Sequence, residues 1–254
     1  MKPSQRQEEI LKILDQQERA TVEHLAEFFE VSHETVRRDL STLYDRRLIR
    51  KVHGGAEKAQ TASEASLEVR AQFNHEQKAA IAQAAAALVS PGDSLFINSG
   101  TTTVAFARAL QQSGKLTLIT NCSAVAHEIW QDDSSHKIYL LGGEYDGNFT
   151  DTYGSLTIEQ VRLFQADHAF LTVGAVDASI GLMEYRVDTA HLTRAMIEQA
   201  RYVTILADSS KLDQVALAKI CALADIDRLI TDARPPADLL EALEDAGVDL
   251  HIVS

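Results

Sequence analysis

The feature that most constrains the fold is a series of short apolar runs that alternate with helix-forming stretches from about residue 72 onward. The runs SLFIN (94–98), LTLITN (116–121) and YVTILAD (202–208) are mainly apolar, without a regular alternation of polar residues. Strands of this kind are typical of a parallel sheet that is covered by helices on both faces. We therefore predict a larger, mainly parallel α/β domain over residues 72–254.

The first part of the chain follows a helical pattern, in which apolar residues recur at a spacing of three and four. This spacing predicts a helix around Ile10, a second helix that begins at Thr21, and a third helix with Ser32 as its N-cap. Alternating residues at 48–52, followed by a pair of glycines, predict a small two-stranded wing. Helices followed by such a wing are the layout of a winged helix-turn-helix module.

The boundary between the two parts is predicted from a change in composition. Residues 57–70 are small and polar and show no periodicity, which is typical of a linker. We therefore predict a winged helix-turn-helix domain at 1–57, a linker at 58–71 and the α/β domain at 72–254.

The negative charge of the chain belongs to its second part. The formal net charge is −13, yet residues 1–58 contain 11 basic and 11 acidic residues, which cancel. Residues 59–254 contain 13 basic against 26 acidic residues, whereas residues 33–58 contain 7 basic against 4 acidic, a net +3. Because an acidic body repels nucleic acid, a basic segment at one end is suited to a separate docking element.

The segment HETVRRDL places two adjacent arginines on a predicted helix. If Val36 and Leu40 face the core, Arg37 and Arg38 lie on or beside the outward arc. Arginine can bind guanine through two hydrogen bonds or bind phosphate, and the sequence does not separate these roles. The alternative is a solvated surface on which Arg38 pairs with Glu34 at helical spacing.

Residues around this helix and on the wing complete the predicted DNA-binding surface. Polar groups near the helix start can donate to phosphate, and basic residues of the wing can contact the DNA backbone. The candidate contacts are Ser32, His33, Thr35, Arg37, Arg38, Ser41, Arg50, Lys51 and His53, with Arg46 and Arg47 as further wing residues.

A hydroxyl-rich loop follows the strand SLFIN and leads directly into a helix. Backbone amides at the positive end of a helix are a usual phosphate site. The segment is not a Walker A loop, since it lacks the Gly-Lys-[Ser/Thr] ending. Ser-Gly-Thr is equally common as turn chemistry, so the loop alone leaves both interpretations open. The residues that would supply amides and hydroxyls are Ser99, Gly100, Thr101, Thr102 and Thr103.

Other polar residues stand where strands are predicted to end. In parallel α/β sheets ligands bind outside the carboxyl ends of the strands, so these residues are expected to converge. Each also has a simpler role, with Asp177 as a turn cap, Glu184 as a solvated charge and Lys211 as a surface amine. The candidates are Asn121, Gly142, Gly143, Asp177, Glu184 and Lys211.

The two cysteines, Cys122 and Cys221, are far apart in the sequence and have no metal-binding or redox spacing. We expect two reduced, buried thiols, and we predict neither a metal nor a cofactor. The first residues carry charges where a secretory signal has an apolar run, and no apolar run approaches the length of a membrane span. The expected location is the cytoplasm.

The stretch SHETVRRDLSTLYDRRLIRKVHGGA (32–56) closely resembles the DNA-binding signature of the DeoR family of bacterial transcriptional regulators. That signature combines a Ser-x-x-Thr-[Ile/Val]-Arg-Arg-Asp-Leu helix with a wing that ends His-Gly-Gly-Ala. One departure is Arg47, where many members have glycine. The order SGTT…TN…GG…VGAVD…GLME…ADSSK is similar to the effector domain of the family, which is related in fold to ribose-5-phosphate isomerase and glucosamine-6-phosphate deaminase.

The resemblance implies a sequence-specific regulator that binds double-stranded operator DNA and is expected to repress a sugar or polyol catabolic operon. A phosphorylated sugar or polyol would be its effector. The loop 99–103 would hold the phosphate, and Asp177, Glu184 and Lys211 would line the sugar or polyol end. Because paired half-sites in DNA match paired subunits, we expect a dimer or tetramer assembled through the C-terminal domain.

Two alternatives remain open from the residues alone. The C-terminal domain would be a phosphosugar isomerase-like enzyme if Glu184, beside Lys211, abstracted a proton next to a carbonyl. The chain would be an architectural DNA binder if it bound operator and random DNA alike. The acidic body opposes the second alternative, because broad backbone binding needs a distributed basic surface.

Overall fold

The structure is a computed structural model that describes residues 2–17, 19–45, 48–52, 54–58, 66–110, 113–131 and 136–253. The chain divides into two compact units, Met1–Phe73 and Asn74–Ser254. The proposed linker at 58–71 stays a prediction, because residues 59–65 lie outside the described part of the chain.

The described part of the N-terminal unit contains four helices and three strands. In chain order they are α1 (Pro3–Gln17), β1 (Arg19–Thr21), α2 (Val22–Phe29), α3 (His33–Asp45), β2 (Ile49–Val52), β3 (Gly55–Lys58) and α4 (Leu67–Arg70), the last within the predicted linker range. The three predicted helices are confirmed, and Thr21 is the N-cap of α2, accepting from His24 N at 3.1 Å. Their inward stripes meet in one core that includes Ile10, Val36 and Leu43.

The wing differs from the prediction in having a third strand. β3 pairs antiparallel with β2 and also with β1, so the order is β1-β3-β2. A Cβ at Gly55 would lie 2.1 Å from Ala20 O, so glycine is required for β1 to approach this closely. Gly54 has φ +77, in the left-handed region that glycine adopts without a steric penalty. The glycine pair therefore turns the hairpin and also admits β1.

The C-terminal unit alternates strands and helices, as predicted. Its described elements are α5 (His75–Ala86), β4 (Ser94–Ile97), α6 (Thr101–Ala109), β5 (Thr117–Thr120), α7 (Ser123–Trp130), β6 (Lys137–Leu140), β7 (Glu144–Asp146), β8 (Asp151–Tyr153), α8 (Ser155–Val161), β9 (Ala166–Leu171), β10 (Ala175–Asp177), β11 (Gly181–Glu184), α9 (Val187–Glu198), β12 (Ala200–Leu206), β13 (Ala218–Cys221), β14 (Arg228–Thr231), α10 (Ala237–Asp245) and β15 (Asp249–Ile252).

Seven of these strands form one parallel sheet in the order β15-β14-β12-β9-β4-β5-β6. Leu95 and Ile97 of β4 pack with residues of α5, α6 and α7, whereas Phe96 packs with residues of α8, α9 and α10. Both faces are covered, which explains why apolar residues do not alternate regularly with polar ones in these strands and confirms the predicted α/β domain. Two small antiparallel sheets, β10-β11-β13 and β7-β8, were not predicted.

No helix in the described ranges is long and apolar enough to cross a membrane. Cys122 and Cys221 are free and buried, as expected. Burial raises the pKa of the Cys221 thiol to about 12, so this thiol is protonated at neutral pH. Within the same ranges, no three His, Cys, Asp or Glu side chains are grouped so that they could hold a metal ion.

Candidate nucleic-acid surface and ligand site

Helix α3 begins at His33 because Ser32 caps its first turn. The amide of Thr35 donates to Ser32 Oγ at 3.2 Å, and the hydroxyls of these two residues lie 2.9 Å apart. The predicted N-cap is therefore confirmed. Both hydroxyls already hold the helix start, so a contact with DNA would be additional to this role.

Arg37 and Arg38 lie on the exposed side of α3, whereas Val36 and Leu40 are buried. Arg38 Nε lies 3.7 Å from Glu34 Oε1, at the helical spacing noted in the sequence, but the Arg38 side chain is 81% exposed. An exposed pair at this distance contributes little to stability. The guanidinium of Arg38 is therefore able to exchange Glu34 for another partner.

A groove of about 620 Å³ lies between α3 and the wing. His33, Arg37 and Ser41 line it from the helix, Lys51 from β2 and Glu23 from α2. Lys51 Nζ donates to Ser41 Oγ at 3.3 Å, which holds the lysine against the helix. Two cations therefore share one groove, an arrangement that suits a DNA phosphate.

Arg50 of the wing is held by an acidic residue of the same unit. Arg50 lies opposite Glu57 in the β2–β3 register, and its guanidinium donates to Glu57 Oε1. This ion pair reduces the positive charge that the wing presents. Arg46, Arg47 and His53, which were also predicted at this surface, lie outside the described residues.

Asp39, to which the sequence analysis assigned no role, is buried in the N-terminal unit. Arg6 Nε donates to its Oδ2 at 2.6 Å, and Gln7 Nε2 donates to its Oδ1 at 3.0 Å. These bonds join α1 to α3. The sequence did contain a sign of this role, because Asp39 directly precedes Leu40 and lies on the inward side of an amphipathic helix.

The predicted phosphate loop is fixed by Asn98, which the sequence analysis missed. Asn98 is buried, and its side chain donates to Thr172 O at 2.8 Å and accepts from Thr172 N at 2.9 Å. The amide thus extends the β4–β9 hydrogen bonding beyond the end of β4. A Cβ at Gly100 would lie 2.1 Å from Thr172 Cγ2, so this close approach requires glycine.

Two hydroxyls of the loop are engaged within the protein. Ser99 Oγ donates to Phe149 O at 2.9 Å, which connects the loop to the β7–β8 hairpin. Thr103 Oγ1 is buried and donates to Asn98 O at 2.8 Å. The Thr103 hydroxyl therefore shapes the loop, whereas the Ser99 hydroxyl links it to a neighbouring segment.

The first turn of α6 offers mainly backbone donors. Val104 N makes the first intrahelical hydrogen bond, to Gly100 O at 3.0 Å. The three amides before it belong to Thr101, Thr102 and Thr103, and the side chains of the last two are buried. Such amides have no acceptor within the helix, so they are the groups that would donate hydrogen bonds to a bound phosphate.

Asn121 and the pair Gly142-Gly143 lie at the same edge of the sheet, after β5 and β6. Asn121 Nδ2 donates to Thr152 O at 2.9 Å, but its buried Oδ1 has no hydrogen-bond partner among the described residues. A buried acceptor without a partner is unusual and suits a ligand donor. Gly142 O accepts from Thr157 Oγ1 at 2.8 Å. A Cβ at Gly143 would lie 2.0 Å from Thr157 Oγ1, so packing requires glycine at 143.

One cation at this edge was not predicted. Arg186, between β11 and α9, has its Cζ 4.7 Å from the ring centre of Phe149 and 4.9 Å from that of Tyr153. Its Nη1 lies 3.4 Å from both carboxylate oxygens of Asp151, and its Nη2 lies 3.8 Å from Asp146 Oδ2. Asp151 is 35 residues away in sequence, so local patterns carry no sign of this cluster.

Asp177, predicted at the sugar or polyol end of the ligand, closes the turn between β10 and β11. Its Oδ1 accepts from Ser179 N at 2.9 Å and from Ile180 N at 2.7 Å. Burial acts to raise the pKa of Asp177, but these hydrogen bonds outweigh it and hold the pKa below its ordinary value.

Glu184 lies at the opposite end of the same hairpin, roughly 10 Å from Asp177 along the strand. The structure therefore does not bring the carboxylates of Asp177 and Glu184 together.

Glu184 and Lys211, in contrast, both approach Tyr185. Glu184 Oε2 accepts from Tyr185 N at 3.1 Å, and Lys211 Nζ lies 5.8 Å from the Tyr185 ring centre. Glu184 is buried, so it is not a solvated charge, and Lys211 is half-buried.

Two family models match the chain. They are the DeoR-like helix-turn-helix domain over residues 6–62 and the DeoR C terminal sensor domain over residues 73–233. The chain is 31% identical to the glycerol-3-phosphate regulon repressor of Escherichia coli (strain K12), over 99% of this chain and 100% of that one. It is 36% identical to the glycerol-3-phosphate regulon repressor of Haemophilus influenzae, over 92% and 91% of the two chains. Among solved structures, ribose 5-phosphate isomerase A of Methanocaldococcus jannaschii matches over 56% of each chain, with 17% identity and a TM-score of 0.42.

Proposed function

The chain belongs to the DeoR family of transcriptional regulators, and on this basis we propose that it represses a sugar or polyol catabolic operon by binding its operator. Its relatives are named as repressors, which favours regulation over an isomerase-like enzyme. The acidic C-terminal unit also opposes non-specific DNA binding, because that mode needs a distributed basic surface.

The observation that carries the DNA-binding proposal is the protein groove between α3 and the wing, which Arg37 and Lys51 line next to the exposed Arg38. The major groove of B-DNA is wide enough for an α-helix. Helix α3 therefore enters the DNA major groove, while the wing lies along the neighbouring DNA backbone. Gel-shift titration tests this assignment. Arg37→Ala and Arg38→Ala should each weaken operator binding while the circular dichroism spectrum and melting temperature stay unchanged. Unchanged affinity at physiological salt would remove the contact assigned to that arginine.

The proposed effector is a phosphorylated sugar or polyol at the carboxyl edge of the parallel sheet. Its phosphate accepts hydrogen bonds from the free amides of the first turn of α6, at 101–103. The unpaired Asn121 Oδ1 accepts from a ligand hydroxyl, and Glu184 and Lys211 line the polyol end. Support for Asp177 in this site is weaker, because it caps a turn at the far end of its hairpin.

Glycerol 3-phosphate is the first compound to test, because two relatives are named for its regulon. A ligand that binds only the folded state raises the melting temperature. We expect a phosphorylated sugar or polyol to raise it, and the matched control, unphosphorylated glycerol, to have no effect. A screen in which no phosphorylated sugar or polyol changes the melting temperature rejects the effector assignment.

We further propose a dimer or tetramer assembled through the C-terminal unit, because paired subunits match paired operator half-sites. Large apolar side chains are exposed on this unit and are available to such an interface, among them Trp130, Leu140, Leu163 and Leu217. Light scattering of the full chain at micromolar concentration should give at least twice the 27.9 kDa mass. A monomeric mass contradicts the proposal.

A further inference from the structure

The β7–β8 hairpin with its connecting turn, residues 144–153, is called the strap below. Its base is tied to the parallel sheet, where Thr152 N donates to Asn121 O at 2.9 Å and Thr152 Oγ1 donates to Leu141 O at 2.7 Å. Gly147 and Asn148 of its turn are exposed, whereas Phe149 and Thr150 are half-buried. The strap therefore crosses the carboxyl ends of β5 and β6, beside the proposed phosphate loop.

A hydrogen bond ties the strap to that loop, from Ser99 Oγ to Phe149 O at 2.9 Å. A carbonyl oxygen can only accept, so the single hydroxyl hydrogen of Ser99 is directed at Phe149. A phosphate offers acceptor oxygens as well. The strap and a phosphate bound by Ser99 therefore compete for the same hydrogen atom.

Arg186 is a further tie between the strap and the body of the unit, in addition to the Thr152 bonds and to Ser123, whose N and Oγ donate to Thr150 O at 2.8 and 3.0 Å. It belongs to the β11–α9 connection, yet Phe149, Tyr153, Asp151 and Asp146, which surround its guanidinium, all belong to the strap. Its ion-pair distances of 3.4 and 3.8 Å exceed the roughly 2.7–2.9 Å of tight charge-assisted bonds. Arg186 thus holds the strap in place by stacking on two aromatic rings and by ion pairs longer than tight charge-assisted bonds.

We propose that Arg186 is a positioning residue for effector recognition, which holds the Phe149 carbonyl against Ser99 until the effector phosphate takes the Ser99 hydroxyl and frees the strap. This inference rests on the proposed phosphate site. Because coupling between two equilibria is reciprocal, phosphate binding loosens the strap, and loosening the strap strengthens phosphate binding.

Hydrogen–deuterium exchange of the full chain, with and without glycerol 3-phosphate, tests the inference. The variant Arg186→Lys keeps the charge but loses the planar group that stacks on two aromatic rings. The matched control is Arg201→Lys, because Arg201 stacks on Tyr202 at 5.3 Å and is exposed outside the strap.

In Arg186→Lys we expect strap amides to exchange about five-fold faster without ligand, the factor that corresponds to the loss of about 1 kcal/mol of cation–π stacking. The affinity for glycerol 3-phosphate should rise by a similar factor, whereas Arg201→Lys should change neither quantity. A purely structural or direct binding role for Arg186 would lower the affinity, so a lower affinity overturns the inference.

Ser99→Ala should also speed strap exchange without ligand and should abolish any further increase when ligand is added. If glycerol 3-phosphate raises the melting temperature but leaves strap exchange in the natural protein unchanged or slower, the inference is overturned while the phosphate site stands. If no phosphorylated compound binds, the proposed effector role fails. Unaltered ligand-free strap exchange in both Arg186→Lys and Ser99→Ala overturns the inference independently of any ligand.

Discussion

Arg6 Nε donates to Asp39 Oδ2 at 2.6 Å, and the two side chains are only 8% and 5% exposed. This buried ion pair joins α1 to α3, the helix that presents Arg37 and Arg38. A charge taken out of water needs its partners in good geometry, so the pair restrains how far α3 can rotate. The outward direction of the two arginines thus depends on a contact on the opposite side of their helix.

We expect Asp39→Ala to lower the free energy of unfolding of the N-terminal unit by about 3–5 kcal/mol, because it removes one partner of a buried ion pair. The matched control is Glu34→Ala on the same helix, which breaks only the exposed contact with Arg38. Glu34→Ala should lower the free energy of unfolding by less than about 0.5 kcal/mol. Urea unfolding followed by circular dichroism measures both, and equal costs would show that burial of the pair is unimportant.

Arg37 and Lys51 should act on DNA as phosphate contacts, because both line the groove between α3 and the wing. Arg37→Ala and Lys51→Ala should weaken binding to all sequences and reduce the slope of log affinity against log salt by about one each. Lys12→Ala serves as the control, since this exposed lysine of α1 pairs with Glu9. Anisotropy titrations at several salt concentrations measure the slopes, and a slope that stays unchanged excludes the phosphate contact.

Glu57→Gln should strengthen DNA binding, because it releases Arg50 from its ion pair on the wing. The freed cation is expected to add about one phosphate contact, which steepens the salt dependence by about one. Glu9→Gln provides a control with the same change of charge, since it breaks the ion pair between Glu9 and Lys12 on α1. Equal gains in both variants would indicate a general effect of net charge, without a specific contact by Arg50.

Gly100→Ala should disturb the phosphate loop, because its Cβ would lie 2.1 Å from Thr172 Cγ2. We expect a cost of about 1–3 kcal/mol in the free energy of unfolding, as for other overpacked sites, and loss of the melting-temperature shift caused by the effector. Gly247→Ala is the control, since its φ of +74 makes alanine costly there too, whereas the residue follows α10 and lies outside the loop and the strap. Melting curves with and without glycerol 3-phosphate measure both effects, and a normal shift in Gly100→Ala would contradict the loop assignment.

The parallel sheet and the three helices of the N-terminal unit could be predicted because each depends on local periodicity that burial enforces. The strand β1 could not, because Arg19–Thr21 is only three residues long and is defined by pairing with β3, more than thirty residues later. Its one sign in the sequence was Gly55, which permits that close approach.

In the candidate sites, too, features that depend on local spacing could be predicted, whereas those that depend on distant partners could not. The outward position of Arg37 and Arg38 follows from helical spacing, and the structure confirms it. Asn98 and Arg186 were missed because their partners lie 74 and 35 residues away. The sequence analysis placed both Asp177 and Glu184 at the sugar or polyol end of the ligand. Only the register of the β10–β11 hairpin shows that they lie at its opposite ends.

The most direct test of regulation by operator binding compares two DNA duplexes at physiological salt. One is selected by the full chain from a random pool, and the other is a random duplex of equal length. We expect the selected duplex to bind at least about 10³-fold more tightly. The double variant Arg37→Ala/Arg38→Ala should lose this preference. Equal affinity for the two duplexes, or a preference that survives in the double variant, would contradict sequence recognition by α3.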